Sequence, residues 1–232
     1  MKIVTVARCF NEENNIDRFM KAYSFADKII ISDGGSTDRS LEILKWYETE
    51  WAGQVKLIHF ENQKTVNGQL WNDDNPHLNY VINAGKAETP DWIILDDMDD
   101  VPNFLLRENA RRILEETQES QIHAFRLYLW GNDQYFPLMN NFLADDWQSL
   151  WAWQPKLTDI HADNTQHHGT IVGIDGNARK LKTPYCLLHK SWHPDTIQRK
   201  MDRYNAVGIE MRHPLNFAGT PQPLPDWAEE YE

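Results

Sequence analysis

The sequence predicts a single α/β domain with a mostly parallel mixed sheet flanked by helices. Strand and helix patterns alternate over roughly the first half of the chain, which is typical of a parallel sheet covered on both faces. The chain has 232 residues, of which 41% are apolar and 25% charged, so it can bury one large core. Polar clusters follow three of the predicted strands.

Runs rich in β-branched and apolar residues predict six strands. In chain order they cover residues 3–7, 28–32, 55–60, 92–95, 122–130 and 185–189. The second run contains three consecutive isoleucines, and the fourth reads Trp-Ile-Ile-Leu. Neither alternates with polar residues, so both predict strands that are buried on two faces.

Helical spacing of apolar residues predicts five helices. They cover residues 12–23, a stretch that begins at Ser36, Thr37 or Asp38, and residues 78–86, 104–116 and 196–207. Side chains of the Ser, Thr and Asp type accept hydrogen bonds from the free N–H groups of a helix start, so they are candidates to begin the second helix.

Polar segments follow the first, second and fourth strands, at residues 8–13, 33–38 and 96–100. In open α/β sheets, ligands bind beyond the carboxyl ends of the strands. We therefore expect Asp33 and Asp97 to face one cleft, with Phe10 nearby.

The acidic segment carries four carboxylates, Asp96, Asp97, Asp99 and Asp100, directly after an apolar strand. Burying them together without a cation would be costly, because like charges repel. A hard divalent ion such as Mn²⁺ or Mg²⁺ would relieve that repulsion and could bind diphosphate oxygens as well. The alternative is a solvated acidic turn.

The other two segments are less specific. Residues 33–38 read Asp-Gly-Gly-Ser-Thr-Asp, which allows a tight turn close to a ligand but is equally compatible with a plain turn and helix cap. Asp33 could accept hydrogen bonds from a base or ribose. Residues 11–13 read Asn-Glu-Glu, an ordinary helix opening.

Charge and composition exclude several classes of partner. The net charge of −12, from 35 acidic and 23 basic side chains, argues against nucleic acid and anionic membranes. No apolar run approaches the roughly 20 residues of a membrane span, so we expect no transmembrane segment. Two cysteines indicate a reducing compartment, so we expect a cytoplasmic protein.

The order and spacing of the three segments resemble glycosyltransferase family 2, whose members have the GT-A fold. The resemblance covers Asn11 to Glu13, Asp33 to Asp38, and Asp91-Trp92 through Asp97-Met98-Asp99. It implies transfer of a sugar from a nucleotide-diphosphate sugar, with UDP-sugars favoured, to a hydroxyl of a carbohydrate or glycolipid acceptor. It also implies a divalent metal, Mn²⁺ or Mg²⁺, and inversion at the transferred carbon.

The same resemblance assigns roles to individual residues. The nucleotide would be bound by Arg8, Phe10, Asn11, Asp33 and Asp97. The metal would be bound by Asp97 and Asp99, with His189 as a further metal or diphosphate contact. Alternatively, His189 could be a core histidine that ends a strand, and Asn11 could only cap the first helix.

The second half is similar to a subgroup that glycosylates lipopolysaccharide cores, through residues 188–192 and 200–204. Asp146 and His168 are the candidate catalytic bases; His168 takes the place of that subgroup's His-Glu element. Trp147, Trp151 and Trp153 could stack on the acceptor or belong to the core.

We expect one GT-A-like domain over residues 1–212, with a donor half at 1–105 and an acceptor half at 106–212. A Pro-rich acidic tail would follow at 213–232. The alternatives are a haloacid-dehalogenase-like phosphatase, suggested by acidic residues after an apolar strand, and a non-catalytic sugar-binding module of the same fold. The sequence predicts no particular oligomeric state.

Overall fold

The computed structural model describes residues 1–61, 63–66, 69–72, 74–131, 133–136, 138–139, 142–143, 148–163, 171–190, 197–206 and 220–228. The helices in this part of the chain are α1 (Ile16–Ala22), α2 (Ser40–Glu50), α3 (Asp74–Ala87), α4 (Phe104–Glu116) and α5 (Ile197–Ala206), with a 3-10 helix at Asp226–Ala228. The strands are β1 (Ile3–Cys9), β2 (Lys28–Asp33), β3 (Val55–His59), β4 (Gln63–Val66), β5 (Gln69–Asn72), β6 (Trp92–Leu95), β7 (Asp100–Pro102), β8 (Gln121–Trp130), β9 (Gln134–Phe136), β10 (Leu138–Met139), β11 (Phe142–Leu143), β12 (Gln148–Trp153), β13 (His161–Ala162), β14 (Ile171–Val172), β15 (Arg179–Lys180), β16 (Leu187–His189) and β17 (Gln222–Pro223).

The main sheet is mixed and has a parallel half. Its strand order is β17-β9-β8-β12-β6-β1-β2-β3, with β15, β16 and β7 paired off this path. Strands β3, β2, β1 and β6 run parallel to one another, whereas β12 is antiparallel to both β6 and β8. Helices cover both faces, which confirms the predicted α/β class.

Burial on both faces explains the apolar runs of the central strands. In β2, Ile29 and Ile31 belong to the core cluster that includes α1, α2 and α4, while Ile30 belongs to the cluster formed with α3. All three side chains are fully buried. The helix α3 lies so close to the sheet that a Cβ atom on Gly85 would stand 2.6 Å from Cγ1 of Val6.

Two helices begin later than the sequence predicts. Residues 12–15 form a turn in which the amides of Asn15 and Ile16 donate to the carbonyl of Glu12, and α1 starts only at Ile16. The second helix starts at Ser40 rather than at residues 36–38. Ser36 bonds to the loop after β1, and Asp38 is shared between that loop and the amide of Ser40 at the start of α2.

The part of the predicted tail that the structure describes packs on the domain. Strand β17 pairs antiparallel with β9 and extends the main sheet. The side-chain amide of Asn103 donates to the carbonyl of Trp227 at 2.8 Å, and Ala228 is fully buried. The domain limit at residue 212 stays a prediction. Among the described residues, no helix combines the length and apolar character that crossing a membrane requires.

Candidate active site

The parallel strands bring the three polar segments to one edge of the sheet. In the register, Cys9 of β1 is opposite Asp33 of β2, and Val6 is opposite Leu95 of β6. Asp33 and Asp97 therefore lie at the same edge of the sheet, and a single cleft shared by the two stays a prediction. Arg8, on the strand between them, donates from Nη2 to Oδ1 of Asp97 at 3.0 Å.

Asn11 fastens the first polar segment to the second. Its backbone has a φ of +59°, in the left-handed region that Asn tolerates better than most residues. Its amide donates to Oγ of Ser36 at 2.9 Å, and its Oδ1 accepts from the amide of Thr37 at 2.7 Å. Asn11 therefore bridges two loops and does not cap α1, whose N-cap is Asn15.

The neighbouring glutamates extend this connection. The amide of Glu12 donates to Oγ of Ser40, and the amide of Glu13 donates to Asp38. In return, the carboxylate of Glu13 accepts from the amide of Arg39 at 3.1 Å. Ser36 and Asp38 thus align two loops, and the second oxygen of Asp38 also accepts from the amide of Ser40 at the start of α2.

Asp33 shapes its own loop and also reaches a cavity. The side chain is fully buried and accepts from the amide of Gly35 at 2.9 Å and from Oγ of Ser36 at 2.6 Å. A cavity of about 420 Å³ opens beside it, lined by Asp33, Leu41, Lys45, Glu48, Leu57, Ile58 and His59. Phe10 is half-buried in the adjoining loop.

The four carboxylates of the acidic segment divide into two pairs. Asp96 and Asp100 are buried beneath the loop, whereas the Asp97 side chain is 51% exposed and the Asp99 side chain 15% exposed. Because only two of the four carboxylates reach the surface of the loop, the electrostatic repulsion among the four is lower than if all of them lay together there.

Arg126 of β8 makes the burial of Asp96 and Asp100 possible. Its Nε donates to Asp100 at 2.8 Å and its Nη2 to Asp96 at 3.3 Å. The hydroxyl of Tyr23 also donates to Asp96. A largely buried cation between two buried carboxylates offsets the cost of removing them from water.

The pKa values of these groups follow from that arrangement. Burial and the charge of Asp100 raise the pKa of Asp96 well above its usual range. Burial alone would raise the pKa of Asp100 too, but Arg126 and His189 lower it below its usual value. Burial would lower the pKa of Arg126, but the two carboxylates raise it, so Arg126 stays a cation.

His189 meets the acidic segment from strand β16. Its Nδ1 lies 2.7 Å from Oδ1 of Asp100 and 4.0 Å from Oδ1 of Asp99. Arg18 of α1 holds the two segments together, since it donates to the carbonyl of Asp99 at 3.2 Å and to that of Leu188 at 3.0 Å.

The donor chemistry fits a divalent cation. Potential ligand atoms of Asp99, Asp100 and His189 all lie within 4.8 Å of one another. Carboxylate and imidazole are ligands that Mn²⁺ and similar ions accept. Asp99 and His189 thus lie close together, with Asp100 beside them, whereas Asp97 is paired with Arg8. The metal roles of Asp97, Asp99 and His189 stay predictions.

Sequence reasoning did not single out Asp100 or Arg126. The signal for Arg126 was present, because an arginine inside a strand that is otherwise buried is seldom found without a partner. The candidate bases Asp146 and His168 lie outside the described residues, as does Trp147. Trp151 and Trp153 are fully buried, so the idea that they stack on the acceptor is wrong and they belong to the core.

A protein-family model, described as glycosyl transferase family 2, matches residues 6–180. The chain belongs to glycosyl transferase family 2. The match includes all three loops at the carboxyl edge and Arg126, and it does not favour the phosphatase alternative. It does not distinguish a subgroup acting on lipopolysaccharide cores. No curated protein sequence matches the chain.

Solved structures of S. aureus TarS share the architecture of this family 2 chain. TarS 1–349 is 13% identical and aligns over 92% of this chain and 67% of its own, with a TM-score of 0.55. A second TarS structure is 13% identical over 89% of this chain and 38% of its own, with a TM-score of 0.54. TarS 1–349 in complex with UDP is 18% identical and aligns over 57% of this chain and 37% of its own, with a TM-score of 0.42.

The chain therefore spans between about two fifths and two thirds of these TarS chains. At 13% identity, the similarity to the first two TarS structures shows a shared fold only. That fold agrees with the family assignment. The sheet is that of a GT-A glycosyltransferase.

Proposed function

We propose that the protein transfers a sugar from a nucleotide-diphosphate sugar, with UDP-sugars favoured, to a hydroxyl of a carbohydrate or glycolipid. The reaction is metal-dependent and inverting, and the acceptor resembles a lipopolysaccharide core. The observation that carries the proposal is the assembly at one sheet edge of Arg8, Asp33 and Asp97 beside the Asp99–His189 pair.

Each part of this edge suits one part of a nucleotide-diphosphate sugar. The cavity beside Asp33 has apolar walls from Leu41, Leu57 and Ile58, which fit a nucleobase or ribose. Arg8 supplies a cation that can contact a phosphate oxygen. Asp99 and His189 would hold the metal, which when bound neutralises negative charge on the departing diphosphate.

Direct displacement also needs a base that removes the proton of the acceptor hydroxyl. We assign this role to Asp146, with His168 as the other candidate, because both follow the donor half in the chain. In this proposal residues 1–105 bind most of the donor and residues 106–212 form the acceptor side, with His189 reaching back to the metal. Residues 213–232 follow as the tail, of which the described part packs on the domain.

The cysteines bear on the compartment. Cys9 and Cys186 are both buried and unpaired, and burial raises the pKa of each thiol well above its usual value. Inert, reduced thiols suit a reducing compartment. We therefore propose a cytoplasmic location.

A thermal-shift panel tests the function most directly. Nucleotides and nucleotide sugars are added to the full chain with and without Mn²⁺, and a selective ligand raises the melting temperature by mass action. We expect a nucleoside diphosphate and its sugar conjugate to raise it only with Mn²⁺. The best donor is then incubated with the enzyme, and slow metal-dependent release of free sugar is expected.

Two other outcomes would contradict the proposal. Release of phosphate from simple monoesters, without any response to nucleotide sugars, would identify a phosphatase. A melting-temperature response to sugars with no donor hydrolysis and no transfer would identify a sugar-binding module that lacks turnover.

A further inference from the structure

The residues beneath the metal ligands form a chain of contacts from three strands. His189 of β16 is directly opposite Asp100 of β7 in an antiparallel pair. The same strand β16 runs parallel to β8, which carries Arg126. The contacts run from Arg126 Nε to Asp100 Oδ2 at 2.8 Å, and from Asp100 Oδ1 to His189 Nδ1 at 2.7 Å.

Each carboxylate oxygen of Asp100 has its own partner: Oδ2 bonds to Arg126 and Oδ1 to His189. Asp100 is almost completely buried, at 1% exposure, so the surrounding residues fix the orientation of its carboxylate. A carboxylate that accepts from a guanidinium is ionised and cannot donate, so the proton of the Asp100–His189 bond belongs to Nδ1. The Nε2 atom of His189 makes no hydrogen bond to any described residue.

We propose that Asp100 and Arg126 are positioning residues that fix the ring and tautomer of His189, so that His189 offers Nε2 to the metal–diphosphate group. This inference deepens the proposed function and rests on it. Metal-bound histidines commonly donate their second ring N–H to a carboxylate, which orients the ring and makes the ligand more basic. Asp100 is in that position, and Arg126 holds Asp100 in turn.

Arg126 contacts two further residues besides Asp100, which keeps its guanidinium in place. Ser149 of β12 accepts from its Nη1, and Nη2 reaches Asp96, so the guanidinium is held from several sides. A rigid guanidinium fixes the carboxylate of Asp100, and the carboxylate fixes the imidazole. A lysine at position 126 would keep the charge but lose this fork of contacts.

A double-mutant cycle on the full chain tests the role of Asp100. Affinity for Mn²⁺ alone is measured from the electron paramagnetic resonance signal of the free ion, for the wild type, Asp100→Asn, His189→Ala and the double variant. Loss of a residue that orients a ligand typically weakens metal binding by about 10- to 100-fold, and we expect that loss for Asp100→Asn. In the His189→Ala background the same change should cost almost nothing, because the two residues act as one unit.

Asp27→Asn is the matched control. Asp27 also pairs with an arginine, Arg111, at 2.6 Å, but it lies just before β2 at the opposite edge of the sheet. Its Mn²⁺ affinity should equal that of the wild type. Full additivity of Asp100→Asn and His189→Ala, or an unchanged affinity in Asp100→Asn, would overturn the positioning role.

A measurement on the wild type keeps the test independent of whether the variants fold. Long-range proton–nitrogen NMR of the His189 ring reports which nitrogen carries the proton. We expect protonated Nδ1, and we expect added Mn²⁺ to broaden the Nε2 signal first. A ring protonated at Nε2 in the neutral form, or one that Mn²⁺ leaves unbroadened, would overturn the inference.

Failure of the proposed function has a different signature. A wild type that binds Mn²⁺ through His189 but neither hydrolyses nor transfers any nucleotide sugar contradicts the proposed reaction and leaves the positioning role standing. A wild type that turns over a donor while Asp100→Asn keeps full Mn²⁺ affinity contradicts only the positioning role.

Discussion

Arg8 and Asp97 are 89 positions apart in the sequence, yet their side chains form an ion pair of 3.0 Å at the carboxyl edge of the sheet. The Arg8 side chain is 19% exposed and that of Asp97 51% exposed. An ion pair with so open a partner adds little to stability, because water and salt screen it. In the proposed function this cation contacts a phosphate oxygen of the donor.

Replacing Arg8 with Gln should therefore weaken binding of a nucleoside diphosphate and leave folding intact. Loss of one charged hydrogen bond corresponds to roughly a tenfold weaker affinity or more. Calorimetric titration with UDP and Mn²⁺ measures it. Arg112→Gln is the control, since Arg112 pairs with Glu116 on the exposed face of α4. Equal UDP affinities for the two variants would remove Arg8 from the donor site.

Asp99→Ala should abolish metal-dependent nucleotide binding and spare the fold. The substitution removes one of several clustered carboxylates, so repulsion in the apo protein falls and the melting temperature should not drop. The measurement is UDP affinity with Mn²⁺ and with EDTA. Glu108→Ala, on α4 and away from the acidic loop, serves as the control. Nucleotide affinity that is indifferent to both EDTA and Asp99→Ala would show that the metal role is wrong.

Two elements have the bounds that their local sequence predicts. The pattern predicts β6 and α4 with their observed bounds, because an unbroken apolar run and a strong helical period each have one interpretation. It places Asp33 and Asp97 at one edge because parallel strands end together. The start of α2 could not be predicted to the residue, since Ser36 bonds to a loop that is distant in sequence and Asp38 is shared between that loop and the amide of Ser40.

The role of Asp100 in the candidate site could not be predicted either, because it also depends on contacts between segments that are distant in sequence. Asp100 counted as one more acid in a run of acids, and only the pairing of β7 with β16 shows that it is opposite His189. The burial of Trp151 and Trp153 depends on β12 entering the sheet between β6 and β8. The position of Asp100 and the burial of the two tryptophans both depend on contacts between segments that are distant in sequence. The local sequence pattern does not contain that information.

Asn11 provides a test of the loop connection. Asn11→Ala removes the acceptor of the Thr37 amide and places alanine at a φ of +59°, whereas Asn11→Gly removes the acceptor but tolerates that φ. We expect both to lower the free energy of unfolding by about 1–3 kcal/mol, with Ala the more harmful. Urea denaturation measures the difference. Equal stabilities of wild type and both variants would mean that the two loops are held without Asn11.

Gly85 provides a test of the helix–sheet contact. Alanine normally stabilises the interior of a helix relative to glycine, by about 1 kcal/mol. Here the added Cβ would meet Cγ1 of Val6 at 2.6 Å, so we expect overpacking to destabilise the protein by about 1–3 kcal/mol instead. Gly176→Ala is the control, because the space around Gly176 is open. A higher melting temperature for Gly85→Ala would contradict the close approach of α3 to β1.

The last prediction concerns the base. Inverting displacement needs a group within hydrogen-bond reach of the acceptor hydroxyl, and a carboxylate or a neutral imidazole can serve. Asp146→Asn should lower transfer by roughly a hundredfold or more, the usual scale of general-base catalysis, with donor affinity unchanged. His168→Gln should then have a much smaller effect. The measurement is the single-turnover rate of transfer at saturating donor, beside the UDP affinity of each variant. A normal rate in Asp146→Asn combined with a large loss in His168→Gln would move the role to His168, and normal rates in both would assign proton removal to another group.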